Sequence, residues 1–262
     1  MSNRNEFYLT LPSNSSMSYF PDNTVAAYTT RLARNICLDG DNWEVALVEV
    51  HYPYTFHQNN APLQVEFNYT GAAKGYKKIP IVNKQFKDIE VLCEELNGDA
   101  NISNYMTFEY NTFLKRVTVS TKHVSKLVLS PSLALQLGLE PETVITDDED
   151  EIIGHWAPNL SLGLTPYMYV YCDVVEPQLI GDTVAPILKI VNMDLGKYVY
   201  GTFNSATYTY PHYVPLMKSS FETIEINLRD DIGRKLPFAS GTSCVKLHFR
   251  RAQHHHHGST SS

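Results

Sequence analysis

Charge is scarce in this sequence. Asp, Glu, Lys and Arg make up 19% of its 262 residues, below the roughly one quarter usual for a soluble domain. With 21 Lys and Arg against 28 Asp and Glu, the formal charge is −7. That balance argues against direct nucleic-acid binding, which draws its affinity from neutralising phosphates. Cysteine is scarce too. Cys37, Cys93, Cys172 and Cys244 are too far apart for a CxxC motif and read as reduced, buried thiols. Long apolar runs are missing, with no stretch near the ~18 residues that span a bilayer. The opening MSNRNEFYLTLPSNSS lacks the apolar core of a secretion signal. No membrane partner is therefore expected. The signatures GxSxG, HExxH, the P-loop and GxGxxG are all absent from the sequence. The expectation is a protein that is not an enzyme, with no cofactor and no metal site.

What is present is tyrosine and strand pattern. There are 17 tyrosines, and 43% of residues are apolar, enough for a large core. Tyrosine serves β-rich cores and protein interfaces alike. Strands are expected at Phe7–Pro12, Asn35–Leu38, Trp43–Pro53, Leu63–Tyr69, Met106–Asn111 and Arg116–Ser120. Further strands are expected at Tyr167–Val175, Ala185–Met193, Phe221–Arg229 and Ser243–Arg250. In the strand from Trp43, strict alternation puts Val45, Leu47, Glu49 and His51 on one face, and Glu44 on the face opposite Glu49. This density of short strands between Pro, Gly and Asn suits a sandwich or jelly roll. Two helices interrupt it. One is expected over residues 84–96 behind an Asn83 cap and stopped at Asn97–Gly98, the other after Ser130–Pro131 and stopped at Gly138. The first could belong to an insertion.

Candidate chemistry is thin. The acidic run Asp147–Glu151 lacks the ligand spacing and glycine of a calcium loop and reads as solvated. Lys74, Lys77 and Lys78 around Gly75–Tyr76 read as a basic loop. His51 and His57 have no zinc spacing, and His248 reads as a packed side chain in a strand. An enzyme would need Cys172 or Cys244 within reach of a histidine. IEINLRDDIGRKLPF followed by GTSCVKLHFR reads as a terminal hairpin that closes a sandwich edge or meets a neighbouring subunit, and YCDVVEPQLIGDT as a partner-touching rim loop or an ordinary turn after an aromatic strand. Residues 251–262, with their histidine run, read as a disordered tail or an expression remnant.

Four stretches carry a family resemblance. They are FYLTLPSNSSMSYFPDNTVAAYTTRLARNICLDGDNWEVALVEVHYP, SPSLALQLG, YVYCDVVEPQLIGDTVAPIL and HYVPLMKSSFETIEINLRDDIGRKLPFASGTSCVKLHFR. Together they span almost the whole chain outside the histidine tail. They resemble the penton, or minor capsid, proteins of the Maverick/Polinton and adintovirus group. The resemblance implies a mainly β fold, a jelly-roll β-sandwich over residues 1–250 with a small α/β insertion or upper domain at about residues 70–160. It implies a virion protein whose homopentamer fills an icosahedral vertex, with a double-jelly-roll major capsid protein as neighbour and a host surface receptor as a further candidate partner. The alternative is a receptor- or ligand-binding β-sandwich module, including a domesticated host copy. Tyr8, Trp43, Tyr167, Tyr169 and Tyr171 are then candidate core or interface anchors. Asp173, Glu176, Gln178 and Asp182 are candidate polar contacts, and Arg229, Asp230, Asp231 and Arg234 a candidate charged turn network.

Overall fold

A computed structural model describes residues 5–40, 42–56, 63–71, 73–82, 86–144, 151–160, 166–197 and 199–252. The chain opens with β1 (Glu6–Pro12), β2 (Ala27–Cys37) and β3 (Trp43–Pro53). A mixed stretch follows: β4 (Gln64–Tyr69), β5 (Gly75–Pro80), α1 (Ile89–Gly98), α2 (Ala100–Ser103), β6 (Met106–Asn111), β7 (Arg116–Thr121), β8 (Val124–Leu129), α3 (Pro131–Leu137), β9 (Glu142–Val144) and β10 (Glu151–Ile153). Strands then resume with β11 (Tyr167–Cys172), β12 (Gln178–Ile180), β13 (Thr183–Ala185), β14 (Ile187–Asn192), β15 (Phe203–Thr207), β16 (Val214–Pro215), β17 (Ser220–Arg229) and β18 (Cys244–Arg251). The structure is mainly β, with several antiparallel sheets in a sandwich-like arrangement.

The chain divides into two compact units. The first comprises Met1–Thr55, Thr165–Asp194 and Thr202–Ser262. One of its sheets has the order β1-β18-β3-β15, with the short β16 also paired to β3, and the other β14-β11-β17-β2. Leu11, Val45, Leu47, Val50, Tyr52, Val245, Leu247 and Phe249 of the first sheet are buried, as are Tyr28, Met168, Val170, Ile224, Ile226 and Leu228 of the second. The two sets meet: the Phe221 and Phe249 rings lie 5.8 Å apart, and the buried Tyr28 hydroxyl donates to the Leu11 carbonyl at 3.0 Å. Each such side chain contributes about 1.5–3 kcal/mol by leaving water.

The face assignment in β3 departs from strict alternation. Lys246 pairs with Glu49 but Leu247 pairs with Leu47, so Val48 is an extra residue opposite β18. The bulge resets the pleat. Val45, Leu47, Val50 and Tyr52 all reach the core, and Glu44, Glu49 and His51 share the outward face. Glu44 and Glu49 are therefore not on opposite faces. The expected terminal hairpin is also corrected. β17 pairs with β2 and β11, whereas β18 pairs with β1 and β3. Each is central in a different sheet, with Ile224, Ile226 and Leu228 of β17 and Val245, Leu247 and Phe249 of β18 facing the core. β2 is longer than its apolar residues suggest, since its core face uses Tyr28 and Thr30. β18 runs through Arg251, and residues from 253 onward lie outside the described ones.

The second unit comprises Phe56–Leu164 and Leu195–Gly201. Its sheets have the orders β5-β4-β8-β9 and β10-β7-β6, and with the helices they enclose a core that includes Phe67, Phe86, Leu92, Leu96, Phe108 and Leu133. α1 starts at Ile89 under Asp88, whose carboxylate accepts the Val91 N–H at 3.0 Å. It does not start behind Asn83, which lies outside the described residues. Asn97 ties α1 to β6, with its amide accepting the Phe108 N–H and donating to the Phe108 carbonyl, both at 2.8 Å. α3 keeps Pro131 in its first turn and Gly138 at φ 70° as its left-handed cap, but Ser130 makes no side-chain cap bond, its hydroxyl accepting the Gln64 N–H at 3.1 Å instead. A β-carbon at Gly138 would collide with the Trp156 carbonyl. The expected basic loop is strand β5. There Tyr76 and Lys78 both donate to Glu66 on β4, Lys78 at 2.9 Å. The Tyr76 hydroxyl, then Lys78, hold the Glu66 carboxyl below its usual value. In the acidic run, residues 147–150 lie outside the described ones.

Candidate functional site

The two outward sheet faces of the first unit carry most of the residues singled out by sequence. On the first face, pairing puts Glu6 opposite Arg250, Tyr8 opposite His248 and Thr10 opposite Lys246. Tyr8 is half exposed and lies flat on the His248 ring, centroids 4.2 Å apart and planes 7° from parallel. His248 is itself nearly buried. One ring nitrogen meets Glu6 at 3.1 Å, and the other meets the Tyr213 hydroxyl at 2.7 Å. The Arg250 guanidinium lies 3.4 Å over the Tyr213 ring and donates to Glu44 at 2.6 Å. Lys246 and Glu49 pair at 3.6 Å beside them. Burial pushes the Tyr213 hydroxyl above its usual value, against the lowering effect of Arg250. Tyr8, Glu49, Tyr208, Tyr213, Lys246 and His248 line a shallow cleft of about 370 Å³.

The second face is an aromatic stripe. Met168, Val170 and Cys172 point inward from β11, so Tyr167, Tyr169 and Tyr171 point outward. Arg229 pairs with Tyr169 across β17, and its guanidinium sits 5.2 Å from the Tyr171 ring. Its Nη1 donates to the Gly233 carbonyl at 3.4 Å, while its buried Nε has no hydrogen-bond partner. In the adjoining turn Asp230 is buried and accepts the N–H groups of Ile232 and Arg234 and the Arg234 guanidinium, at 3.1, 2.8 and 2.8 Å. Burial pushes the Asp230 carboxyl up, and those donors outweigh it, so its pKa falls below the usual value. Asp231 stays exposed in the same turn.

The remaining candidates are dispersed. Asp173 accepts Lys218 at 2.6 Å and the Glu225 N–H at 2.8 Å. Glu176 uses its backbone, donating to Pro215 and accepting the Gln178 amide, both at 2.9 Å. Gln178 starts β12 and Asp182 sits in the turn to β13, so the expected rim loop is a small hairpin with Gly181 at φ 59°. Its tip exposes Leu179 and Val184 as a cross-strand pair. Trp43 is buried, donating to the Asp39 carbonyl at 3.2 Å. Sequence reasoning did not single out Glu6 or Tyr213. The signal was the period-two set Lys246, His248 and Arg250, whose partners come from distant strands.

Neither cysteine considered for catalysis is hydrogen-bonded to a histidine among the described residues. The Cys172 thiol is fully buried, and desolvation pushes its pKa up to about 12. It stays protonated and a poor nucleophile. All four cysteines are free. Among the described residues, no group of three or more His, Cys, Asp or Glu side chains could hold a metal, and no helix is long and apolar enough to cross a membrane.

Solved structures supply a remote likeness. The chain is similar to a crystal structure of the mavirus penton protein, with a TM-score of 0.55 and 14% identity over 95% of this chain and 100% of that one. It is also similar to a chain in the cryo-EM structure of the Sputnik virophage, with a TM-score of 0.51 and 9% identity over 95% and 98% of the two chains. No family model matches the sequence, and no curated protein matches it. At these identities the likeness is one of fold.

Proposed function

We propose that this chain is a viral minor capsid protein whose homopentamer forms the penton at the vertex of an icosahedral shell. One observation carries the reading. Taking the eight long strands of the first unit in chain order as one to eight, one sheet runs 1-8-3-6 and the other 5-4-7-2. That alternation of strands between two sheets fits a jelly roll, and the end-to-end likeness to a penton protein supports the same role. On this reading residues 1–250 are the capsid jelly roll, the stretch at about residues 70–160 is its insertion or upper domain, and the chain resides in the virion. The function is geometric, with curvature and five-fold closure produced by one heterologous interface repeated around a ring. The outward tyrosine stripe and the charged face around His248 are the surfaces available to neighbours, among them a double-jelly-roll major capsid protein. Membership of the Maverick/Polinton and adintovirus group belongs to the same proposal.

The cleft lined by Tyr8, Tyr208 and Tyr213 favours a second reading, a receptor- or ligand-binding module. The two separate by mass. Native mass measurement over a concentration series, with negative-stain images, is expected to give five-fold particles. A strictly monomeric chain that does not enter shells formed by the major capsid protein would overturn the capsid reading.

A further inference from the structure

The hairpin joining β6 to β7 carries large apolar residues at its tip. Tight hairpins take Gly, Asn or Asp at their tips, because the backbone needs left-handed conformations there. Here the tip reads Thr112, Phe113, Leu114, Lys115, and Lys115 itself occupies the left-handed region at φ 52°. The turn is held by Asn111, whose side-chain oxygen accepts the N–H groups of Phe113 and Leu114 at 3.0 and 2.9 Å. Those bonds use only the backbone of the two apolar residues. Phe113 is 92% exposed and Leu114 50% exposed. Large apolar groups held out into water on a pinned backbone mark a place where local folding rules give way to function. Two cations stand directly behind them, Lys115 and Arg116, the second donating to the Lys115 carbonyl at 2.9 Å.

We propose that this tip is a lipid-contacting element, which inserts Phe113 and Leu114 among the acyl chains of an anionic bilayer surface while Lys115 and Arg116 meet its headgroups. The shape selects this occupant. A convex tip with two apolar side chains offers far less than the ~800 Å² per partner of a stable protein interface. A bilayer needs no shape complement, and it rewards apolar insertion backed by positive charge. Peripheral docking of this kind needs no spanning segment, so it is compatible with the absence of long apolar runs.

The test is co-sedimentation of the purified full chain with phosphatidylcholine vesicles, with and without phosphatidylserine. The expected result is binding that requires phosphatidylserine and weakens about tenfold in F113S/L114S. Binding should also weaken about fivefold for each cation removed in K115Q and R116Q. As an independent readout, Phe113→Trp should be quenched by brominated lipid while Trp43 and Trp156 in the unsubstituted chain are not. Three results would overturn the proposal: no phosphatidylserine-dependent sedimentation, sedimentation undiminished in F113S/L114S, or no quenching of the tip tryptophan. A change in the chain's own association state without a change in vesicle binding would assign the tip to a protein contact and overturn it equally.

Discussion

At the residue scale, the outcome for each polar group turns on whether it is satisfied locally. Asp230 is buried and accepts three donors from its own turn, so D230N should destabilise the chain by about 1–3 kcal/mol in denaturant unfolding. The pH dependence has a definite sign. The folded carboxyl titrates below its unfolded value of about 3.9, so its contribution is complete above that value and is lost as pH falls through the folded one. Denaturant unfolding midpoints should therefore fall less between neutral pH and pH ~3 in D230N than in the parent. Thiols divide by burial in the same way. Cys37 is exposed, whereas Cys172 is buried with its pKa pushed up to about 12. Timed alkylation with mass detection should label Cys37 first and reach Cys172 only on unfolding. Rapid labelling of Cys172 in the native protein would contradict the inward face assigned to β11.

At the element scale, most strands were legible because their alternation is written in the chain. β3 and β6 coincide with their expected spans, and β17 and β18 begin or end one residue away. Short strands such as β9, β13 and β16 carry too few residues for a period to register. The face assignment of β3 failed for a physical reason: a bulge is defined by the partner strand, and β18 lies almost two hundred residues away in sequence. Deleting Val48 should restore strict pairing and leave Val45, Leu47, Val50 and Tyr52 together on the core face. That should change the Tm of the first unit by only a few degrees in a thermal melt. A collapse of Tm would mean that the extra residue is needed for more than the face assignment. α1 teaches a related lesson. Asn83 and Asp88 are both good caps on paper, and Asp88 is the one that caps α1, its carboxylate accepting the Val91 N–H.

At the scale of the whole molecule, the tyrosines divide by sheet face. Tyr28, Tyr52 and Tyr54 are buried, while Tyr8 and Tyr167 are exposed and Tyr169 and Tyr171 are half-buried on an outward face. If the outward stripe is a subunit seam, Y167S/Y169S/Y171S should reduce assembly mass in native measurements while changing Tm by only a few degrees. A collapse of Tm with assembly unchanged would return the stripe to a structural role. Low charge, strand periodicity, the Pro131 start and Gly138 stop of α3 and the lack of catalytic signatures all follow from the sequence alone, because each depends on neighbours within a few residues. Only the tertiary structure could decide that β17 and β18 separate into different sheets, that Glu44 and Glu49 share a face, and that Glu6, His248, Tyr213 and Arg250 converge. Those facts depend on pairings between strands far apart in the chain, and a local pattern records which side of a strand is apolar without recording which strand will lie beside it.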